Sequence, residues 1–373
     1  MRPLSTARSA HSRARCRACH GWDPRSQVRP DKVSSVTTTP PRWAYLGPAG
    51  TFTEQATIDL AARGSAPMPE LVAAASVSAA LAAVRCDDVD AACVPLENSV
   101  EGAVPLTQDE LTHGEPLLIT AEAYVPITFK LLARPGMTMS SVRAVGSHPH
   151  GLAQVRDWVA RELPQARTVV TDSTAAAAEA VAAGSLDAAA AAPVAGTRYG
   201  LQALADDIGL MRDAITRFVL LRRPAPAPEP TGNDRTSLVL WVANEPGTLL
   251  GLLTEFASRG INLTRLESRP TRTRPGEYVF LVDADGHIAD PAMADVLAAL
   301  TRRGALLRYL GSYPRMSGRS VLPPDFASAA RYREADEVVT ALRSGHSPTE
   351  PGGLTTDEAV ARGAGSRGGW GVP

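Results

Sequence analysis

The chain has 373 residues, of which 44% are hydrophobic and 21% charged, and its formal net charge at pH 7 is −1. This composition is typical of a globular protein with two or three domains. A nearly neutral chain has no overall attraction to nucleic acid or to a membrane surface, and no apolar run reaches the roughly 20 residues that cross a bilayer. We therefore expect small-molecule partners, with no nucleic acid and no membrane.

Residues 1–42 are rich in arginine and poor in acidic residues, and they lack the apolar stretch of a secretory signal. Such a segment buries too little apolar surface to offset its ordering entropy. We interpret it as a disordered basic extension, with an organellar transit segment as the alternative, and we expect a cytoplasmic protein. A CxxCH pattern at 16–20 matches a haem-attachment motif, but no helical periodicity surrounds it.

In residues 43–222, short apolar strands alternate with Ala-rich helical stretches, which predicts an α/β domain with a mostly parallel sheet. Four of these strands end in hydroxyl, carboxyl or carboxamide residues just before a predicted helix. These residues are Thr51 and Glu54, Glu97 and Asn98, Ser147, and Ser173 and Thr174. Thr51 and Glu54 fit a capping box, and Ser147 is expected to be an N-cap.

Each of these polar groups alone is explained as an ordinary helix cap. Ligands bind outside the carboxyl ends of strands in open α/β sheets, however, and the free N–H groups of helix starts attract anions. Because four such helix starts occur in one domain, the sequence predicts a cleft that holds carboxylates with neutral donors.

The proline-rich stretch 223–234 predicts a semi-rigid linker. Residues 235–315 then predict a ferredoxin-like βαββαβ unit, with strands at 237–242, 261–267, 277–283 and 305–310 and helices at 249–257 and 291–303. Beyond residue 316 the chain becomes rich in Gly, Ser, Pro and Arg. We expect residues 316–373 to form a disordered tail.

The motifs follow one another as in prephenate dehydratases. The dehydratase-like motifs are YLGPAGTFTE at 45–54, VPLENSVEG at 94–102, SHP at 147–149 and TRF at 216–218. The segments NEPG at 244–247, GINL at 260–263, ESRP at 267–270 and LGSYP at 310–314 resemble the regulatory ACT domain of the same enzymes. Any one motif is weak, but their order and spacing over residues 43–315 are specific.

The resemblance implies a two-lobed dehydratase domain like the type II periplasmic binding proteins, with its active site in the cleft. Lobe one takes residues 43–118 and 200–222, and lobe two takes 119–199. The implied reaction is that of a carbon-oxygen lyase of phenylalanine biosynthesis, in which prephenate loses carbon dioxide and its ring hydroxyl to give phenylpyruvate and water.

The resemblance implies no metal or organic cofactor. The residues agree with that, since Lys32 and Lys130 are the only lysines and no GxxxxGK loop occurs. His148 and His150 are two residues apart, without a third metal ligand nearby in the sequence.

Thr216 matches the catalytic threonine of the family and is expected to hydrogen-bond or protonate the departing oxygen. The proton supply is shared by water or by Glu97, a carboxyl whose pKa would rise in a desolvated cleft. The substrate-binding residues implied are Asn98, Ser147, Gln154, Ser173, Thr174, Arg217 and Phe218. For Arg217 a bracing role between neighbouring segments is the alternative.

The resemblance further implies that L-phenylalanine acts as an allosteric effector between paired ACT domains, in a homodimer or homotetramer. The effector-binding residues implied are Asn244, Gly247, Thr248, Leu249, Glu267, Ser268, Arg269 and Pro270. At 247–250 the sequence GTLL replaces the GALV usual in the family, so the effector site departs from its relatives there.

Three alternatives remain open from the sequence. The ACT domain is either an effector site or only a dimerisation module. The substrate is prephenate or arogenate, which differ only in a keto or amino group. A non-catalytic amino-acid-binding sensor on the same scaffold is disfavoured because neither an export signal nor a DNA-binding pattern is present.

Overall fold

The structure is a computed structural model that describes residues 40–64, 67–100, 102–211, 213–271, 277–316 and 323–346. The expected extension at 1–42 lies outside these residues except for its last three positions. The end of the expected tail, 347–373, also lies outside them.

In chain order the strands are β1 (Arg42–Leu46), β2 (Glu70–Ala74), β3 (Ala91–Asn98), β4 (Gly102–Ala103), β5 (Leu118–Pro126), β6 (Lys130–Ala133), β7 (Ala144–Ser147), β8 (Arg167–Val170), β9 (Ala188–Ala191), β10 (Gln202–Ala205), β11 (Ile215–Arg222), β12 (Asp234–Trp241), β13 (Leu263–Pro270), β14 (Tyr278–Asp285) and β15 (Leu306–Pro314). The helices are α1 (Phe52–Arg63), α2 (Val77–Arg85), α3 (Pro105–His113), α4 (Pro149–Glu162), α5 (Thr174–Ala182), α6 (Pro193–Tyr199), α7 (Thr248–Ala257), α8 (Pro291–Arg302) and α9 (Ala329–Arg343).

Two mixed sheets form the two lobes of the N-terminal part. The first has the strand order β2-β1-β3-β11-β5, with β1 parallel to β2 and β3, and β11 antiparallel to both β3 and β5. The second has the order β10-β6-β9-β7-β8, with β7 parallel to β8 and β9. Helices α1, α2 and α3 pack on the first sheet, and α4 and α5 pack on the second. The two-lobed α/β architecture is confirmed.

The chain crosses between the lobes at positions other than those expected. Lobe two was expected to span 119–199, but β5 pairs along its whole length with β11 in the first sheet. Strand β10 lies after residue 200, yet it pairs with β6 in the second sheet. The crossings therefore follow β5 and β10, because backbone pairing with distant strands decides which sheet each one joins.

The C-terminal domain is a four-stranded antiparallel sheet in the order β13-β14-β12-β15. Its six elements follow the predicted βαββαβ order, and α7 and α8 cover one face through Leu252, Phe256 and Val296, which pack on Leu238 and Leu240 of β12. The ferredoxin-like arrangement is confirmed.

The other face of this sheet packs on lobe one. Val239, Leu281 and Tyr313 belong to the same apolar cluster as Ile119 of β5 and Val219 of β11. The C-terminal domain and the first lobe therefore share one hydrophobic core.

A glycine permits the closest approach between these two sheets. Gly311 of β15 has φ +129°, and a β-carbon on it would overlap the carbonyl oxygen of Ile119 in β5. Since only glycine combines this backbone conformation with no side chain, Gly311 sets the spacing of the two domains.

The prediction of a wholly disordered tail is wrong for residues 329–343, which form α9. Ser328 caps this helix, and its hydroxyl accepts a hydrogen bond from the Arg331 N–H at 3.3 Å. Alanine, arginine and glutamate are good helix formers, but the average composition of 316–373 masks this short stretch. No residue of α9 is buried.

Candidate active site

The two lobes contact each other at the start of α1. Gly50 in the turn before α1 has φ +86°, and a β-carbon there would lie 2.9 Å from the ring of Tyr199 in lobe two. The Tyr199 hydroxyl donates to the carbonyl of Ala49 at 2.9 Å, and the rings of Phe52 and Phe129 meet edge to face at 5.8 Å. The cleft between the lobes is therefore narrow beside this helix start.

A buried carboxylate holds that turn in place. The Glu54 Oε2 accepts from the Gly50 N–H at 2.5 Å, and its Oε1 lies 3.4 Å from the Tyr45 hydroxyl and 3.8 Å from Arg198. Thr51 caps α1, with its hydroxyl accepting from the Glu54 N–H at 3.3 Å. Only half of the expected capping box forms, because the Glu54 carboxylate accepts from the Gly50 N–H and not from the Thr51 N–H. Burial, with the nearby Glu54 charge, raises the pKa of Tyr45 to about 12.

Asn98 and Thr216 form the central polar pair of lobe one. They are direct partners where β3 ends and β11 begins, and the Asn98 Nδ2 donates to the Thr216 Oγ1 at 2.8 Å. The Asn98 Oδ1 accepts from the Val100 N–H at 2.8 Å, which fixes the amide orientation. Because the Thr216 oxygen already accepts this bond, its own O–H proton points elsewhere and is available to a bound molecule.

On the side of lobe two, α5 begins next to the same turn. Ser173 caps this helix by accepting from the Ala176 N–H at 2.9 Å, and Thr174 is its first residue. A β-carbon on Gly50 would lie 3.4 Å from the β-carbon of Ala175. The N-termini of α1 and α5 thus converge across the cleft, and their free N–H groups favour an anion between them.

Ser147 does not cap α4, contrary to expectation. Its side chain is fully buried, and its hydroxyl donates to the Ala190 carbonyl of β9 at 2.6 Å. The cap is His148, whose Nδ1 accepts from the His150 N–H at 3.3 Å. Ser147 ends β7, so its side chain ties two strands together and could donate to a substrate carboxylate only if that bond broke.

The remaining cleft candidates have different surroundings. Gln154 lies half-buried in α4, and its backbone carbonyl accepts from the Leu210 N–H at 2.7 Å. Phe218 is buried in an apolar cluster with Tyr45 and Leu220. Phe218 is therefore a core residue of the first sheet, and its assignment to substrate binding stays a prediction that its burial does not support.

Glu97 and Arg217 lie on the opposite face of the sheet from the polar pair. Successive residues of a strand point to opposite faces, so Asn98 and Thr216 face the cleft while their neighbours Glu97 and Arg217 face the C-terminal domain. The Glu97 Oε2 lies 4.0 Å from Arg217 Nη1 and 3.7 Å from Arg265 Nε of β13. This geometry gives no support to the expected roles of Glu97 in proton supply and of Arg217 in substrate binding, and both stay predictions.

Arg217 is fully committed to an ionic cluster between the domains. Its Nε donates to Glu122 at 2.8 Å, its Nη1 donates to Asp283, and its Nη2 donates to the Tyr313 hydroxyl at 2.8 Å. Burial alone would raise the pKa of Asp283, but Arg217 and Arg265 lower it to about 2. Burial opposes the charge on Arg217, yet these partners raise its pKa well above the usual value. Both groups therefore stay charged at neutral pH.

Part of the expected effector site also contacts the N-terminal part of the same chain. The Glu267 Oε2 accepts from Gln108 Nε2 at 2.5 Å, and Arg269 Nη2 donates to the Asp109 Oδ1 at 3.0 Å. Both contacts join β13 to α3 of lobe one. Gly247 precedes α7 with φ +85°, the left-handed region that favours glycine.

The other expected effector residues lie at the surface of the C-terminal domain. Asn244 is exposed in the turn before α7, Thr248 and Leu249 open that helix, and Ser268 and Pro270 are exposed on edge strand β13. Pairing of two such domains stays a prediction.

Among the residues that the structure covers, no group of three or more His, Cys, Asp or Glu side chains is placed to hold a metal ion. None of the helices described here is both long and apolar enough to cross a membrane.

The chain matches two family models, prephenate dehydratase at residues 43–226 and the ACT domain at 236–304. A prephenate dehydratase of Amycolatopsis methanolica is 52% identical over 305 residues, which cover 82% of this chain and 98% of that protein. A solved prephenate dehydratase from Arthrobacter aurescens, in complex with L-Phe, is 42% identical with a TM-score of 0.74 and covers 81% of this chain and 99% of its own. A structure described as a novel type of quorum quenching acylase is 31% identical with a TM-score of 0.65, and it covers 74% of this chain and 98% of its own.

Proposed function

The chain belongs to the prephenate dehydratase family and carries a C-terminal ACT domain, and we propose that it converts prephenate to phenylpyruvate in cytoplasmic phenylalanine biosynthesis. The observation that supports the proposal is the Asn98–Thr216 hydrogen bond, in which the Thr216 oxygen accepts and its hydroxyl proton is left for a bound substrate. The converging N-termini of α1 and α5 supply neutral donors for the carboxylates of a dianionic substrate.

The proposed reaction breaks two bonds of the substrate ring. The bond to the ring carboxylate breaks to release carbon dioxide, and its electron pair enters the ring as the C–O bond to the hydroxyl breaks. The departing oxygen takes one proton and leaves as water, so prephenate dianion and one proton give phenylpyruvate, carbon dioxide and water. Aromatisation of the ring drives the elimination, and no metal or organic cofactor takes part.

Thr216 acts on the departing oxygen. Hydroxide is a poor leaving group, so a donor at that oxygen lowers the barrier. Asn98 occupies an acceptor position of the Thr216 oxygen, which directs the hydroxyl proton toward the substrate. Glu97 faces the C-terminal domain, so we assign the net proton to water that reaches Thr216, and not to a protein carboxyl.

Neutral donors in the cleft suit a decarboxylation. A tight ion pair to the ring carboxylate would stabilise the ground state as much as the transition state, and catalysis requires the difference between the two. The only arginine of the TRF motif, Arg217, is turned away from the cleft and held by Asp283. Helix N–H groups and hydroxyls therefore remain as the donors for the carboxylates.

We further propose that L-phenylalanine binds at the seam of two ACT domains and lowers the rate. Support comes from the relative solved with L-Phe and from exposed apolar residues, Leu249 and Leu250 of α7 and Leu266 of edge strand β13. Covering such an edge favours pairing, so we expect a homodimer or homotetramer. Gly247 leaves the backbone N–H groups at the start of α7 accessible to an amino-acid carboxylate.

The test is turnover of purified protein with prephenate, followed by phenylpyruvate absorbance, in the presence of a chelator. Arogenate and an N-acyl amide are assayed on the same sample. Faster turnover of arogenate would change the substrate assignment, and hydrolysis of the amide without action on prephenate would replace the proposal with an acylase.

Regulation has a separate test. Calorimetry should show saturable L-phenylalanine binding to the wild type and weaker binding to Gly247→Val, because φ +85° strains a β-branched side chain. Absence of binding in the wild type would leave the ACT domain a dimerisation module, without affecting the catalytic proposal.

A further inference from the structure

Two side chains of the ACT domain contact β11, the strand that carries Thr216. Asp283 of β14 and Tyr313 of β15 both hydrogen-bond the guanidinium of Arg217, the residue next to Thr216 on β11. Ser237 of β12 donates to the Asp283 Oδ1 at 2.6 Å and lies 2.6 Å from the Tyr313 hydroxyl. Two strands of the ACT sheet thus contact the Arg217 side chain directly, and a third strand holds those two contacts through Ser237.

The cluster is balanced in charge and closed to water. Arg217 and Arg235 face Glu122 and Asp283, and all four are buried. The Glu122 Oε2 receives hydrogen bonds from both arginines, at 2.8 Å from Arg217 and 2.6 Å from Arg235. Removing one carboxylate would leave two buried cations sharing a single anion, which is costly in a dry interior.

The partner strand β3 is irregular at the same position. Arg217 pairs with Glu97 and Phe218 pairs with Pro95, so Leu96 of β3 is an extra residue in the ladder. A bulge disrupts the ladder locally and re-aims the side chains beside it. On its other side β11 pairs regularly with β5 from Ile215 to Leu220, and the anchored side chain of Arg217 adds a constraint on this end of β11 from the face of the ACT sheet.

We infer that Asp283 and Tyr313 of the ACT domain are positioning residues for Thr216, acting through Arg217 near the start of β11. This inference rests on the proposed function, because Thr216 is the donor in that reaction. It makes the ACT sheet part of the catalytic apparatus even when no effector is bound. The dehydratase domain reaches its full rate only with the ACT domain docked.

The experiment compares Asp283→Asn and Tyr313→Phe with the control Asp285→Asn in the full-length chain. Asp285 lies on the same strand and pairs with Arg315 at 2.6 Å, in a half-buried contact outside the Arg217 cluster. Each variant is assayed for kcat and KM with prephenate, and hydrogen exchange of the peptide covering 215–222 is followed by mass spectrometry. Circular dichroism and thermal melting establish that each variant is folded.

We expect Asp283→Asn to lower kcat by roughly ten- to a hundredfold, because misplacement of a catalytic group by about 1 Å has effects of that size. KM should change less than threefold, since the carboxylate-binding helix starts are untouched. Exchange of 215–222 should become faster. Tyr313→Phe should show the same pattern more weakly, and Asp285→Asn should keep the wild-type kcat and exchange rate.

A folded Asp283→Asn protein with wild-type kcat and wild-type exchange overturns the inference. If this variant does not fold, Tyr313→Phe decides, and an unchanged kcat there overturns it as well. An equal loss in Asp285→Asn would show a general effect of destabilisation and also refute a positioning role. If the wild type does not act on prephenate, the proposed function fails, and the exchange of 215–222 still tests the link between Asp283 and β11.

Discussion

Replacing Thr216 by valine removes one hydroxyl and conserves the shape of the side chain. The structure predicts two separate costs. The departing oxygen loses its donor, which we expect to lower kcat by ~10²–10⁴, equivalent to about 2.7–5.5 kcal/mol of barrier. The Asn98 Nδ2 also loses the acceptor that it now contacts at 2.8 Å. The loss of one such hydrogen bond costs about 1 kcal/mol of folding stability.

These two costs appear in different measurements. Because the bond to the leaving oxygen strengthens in the transition state, the loss should fall on kcat with KM little changed. Steady-state phenylpyruvate formation gives both constants, and urea unfolding gives the stability. The control is Thr120→Val on the neighbouring strand β5, where the hydroxyl donates to the Leu220 carbonyl at 3.4 Å. Thr120→Val should keep wild-type turnover.

A folded Thr216→Val enzyme that retains a third or more of the wild-type kcat would refute the donor role of Thr216. In that case the Asn98–Thr216 pair would be only a structural contact between β3 and β11. A large rise in KM with unchanged kcat would also contradict the reasoning, since it would place Thr216 at a carboxylate of the substrate.

Three further predictions follow from the interface between the domains. Glu97→Gln should keep kcat within about threefold of wild type in the phenylpyruvate assay, because its carboxylate faces Arg265 and not the cleft; a hundredfold loss would restore its expected catalytic role. Gly311→Ala should lower the free energy of unfolding by several kcal/mol, measured by urea titration, because its β-carbon would overlap Ile119 at a left-handed φ. The pKa of Asp283 is depressed from 3.8 to about 2, so its ionic contribution of about 2 kcal/mol is present above pH 4 and lost as the pH falls toward 2. The stability difference between wild type and Asp283→Asn should shrink over that range in urea titrations.

The elements that the sequence predicted well are those with a local pattern. The six elements of the ACT domain follow from hydrophobic periods of two and 3.6 residues, and the structure places them within a few residues of the predicted bounds. The lobe crossings were misplaced because the apolar pattern of β5 or β10 does not say which sheet the strand joins. Pairing of β5 with β11 joins residues about 100 positions apart, and no local signal encodes that contact.

The site predictions find no support where all residues of one motif were assigned to the same site. Asn98 and Thr216 are joined by a hydrogen bond, but Glu97 and Arg217 are adjacent to them and point to the other face of the sheet. The period of two along a strand was available from the sequence and forbids all neighbours from reaching one ligand. Which face met the cleft was not available, because that depends on where the ACT sheet docks.

The alternation along β3 and β11 also provides a route by which the proposed regulation would act without the ACT domain touching the substrate. Each strand presents one residue to the cleft and the next to the ACT domain, so Thr216 and Arg217 share a peptide unit while contacting different domains. On the β3 side, α3 is tied to the strand by Thr107, whose hydroxyl donates to Pro95 at 2.6 Å, and Gln108 of the same helix reaches Glu267 of the expected effector site. A shift of the ACT sheet would therefore move the backbone that carries Asn98 and Thr216, whereas α1 and α5, the proposed carboxylate-binding helices, lie outside this contact. Regulation transmitted in this way should alter kcat more than KM, since the groups that bind the ground state stay in place.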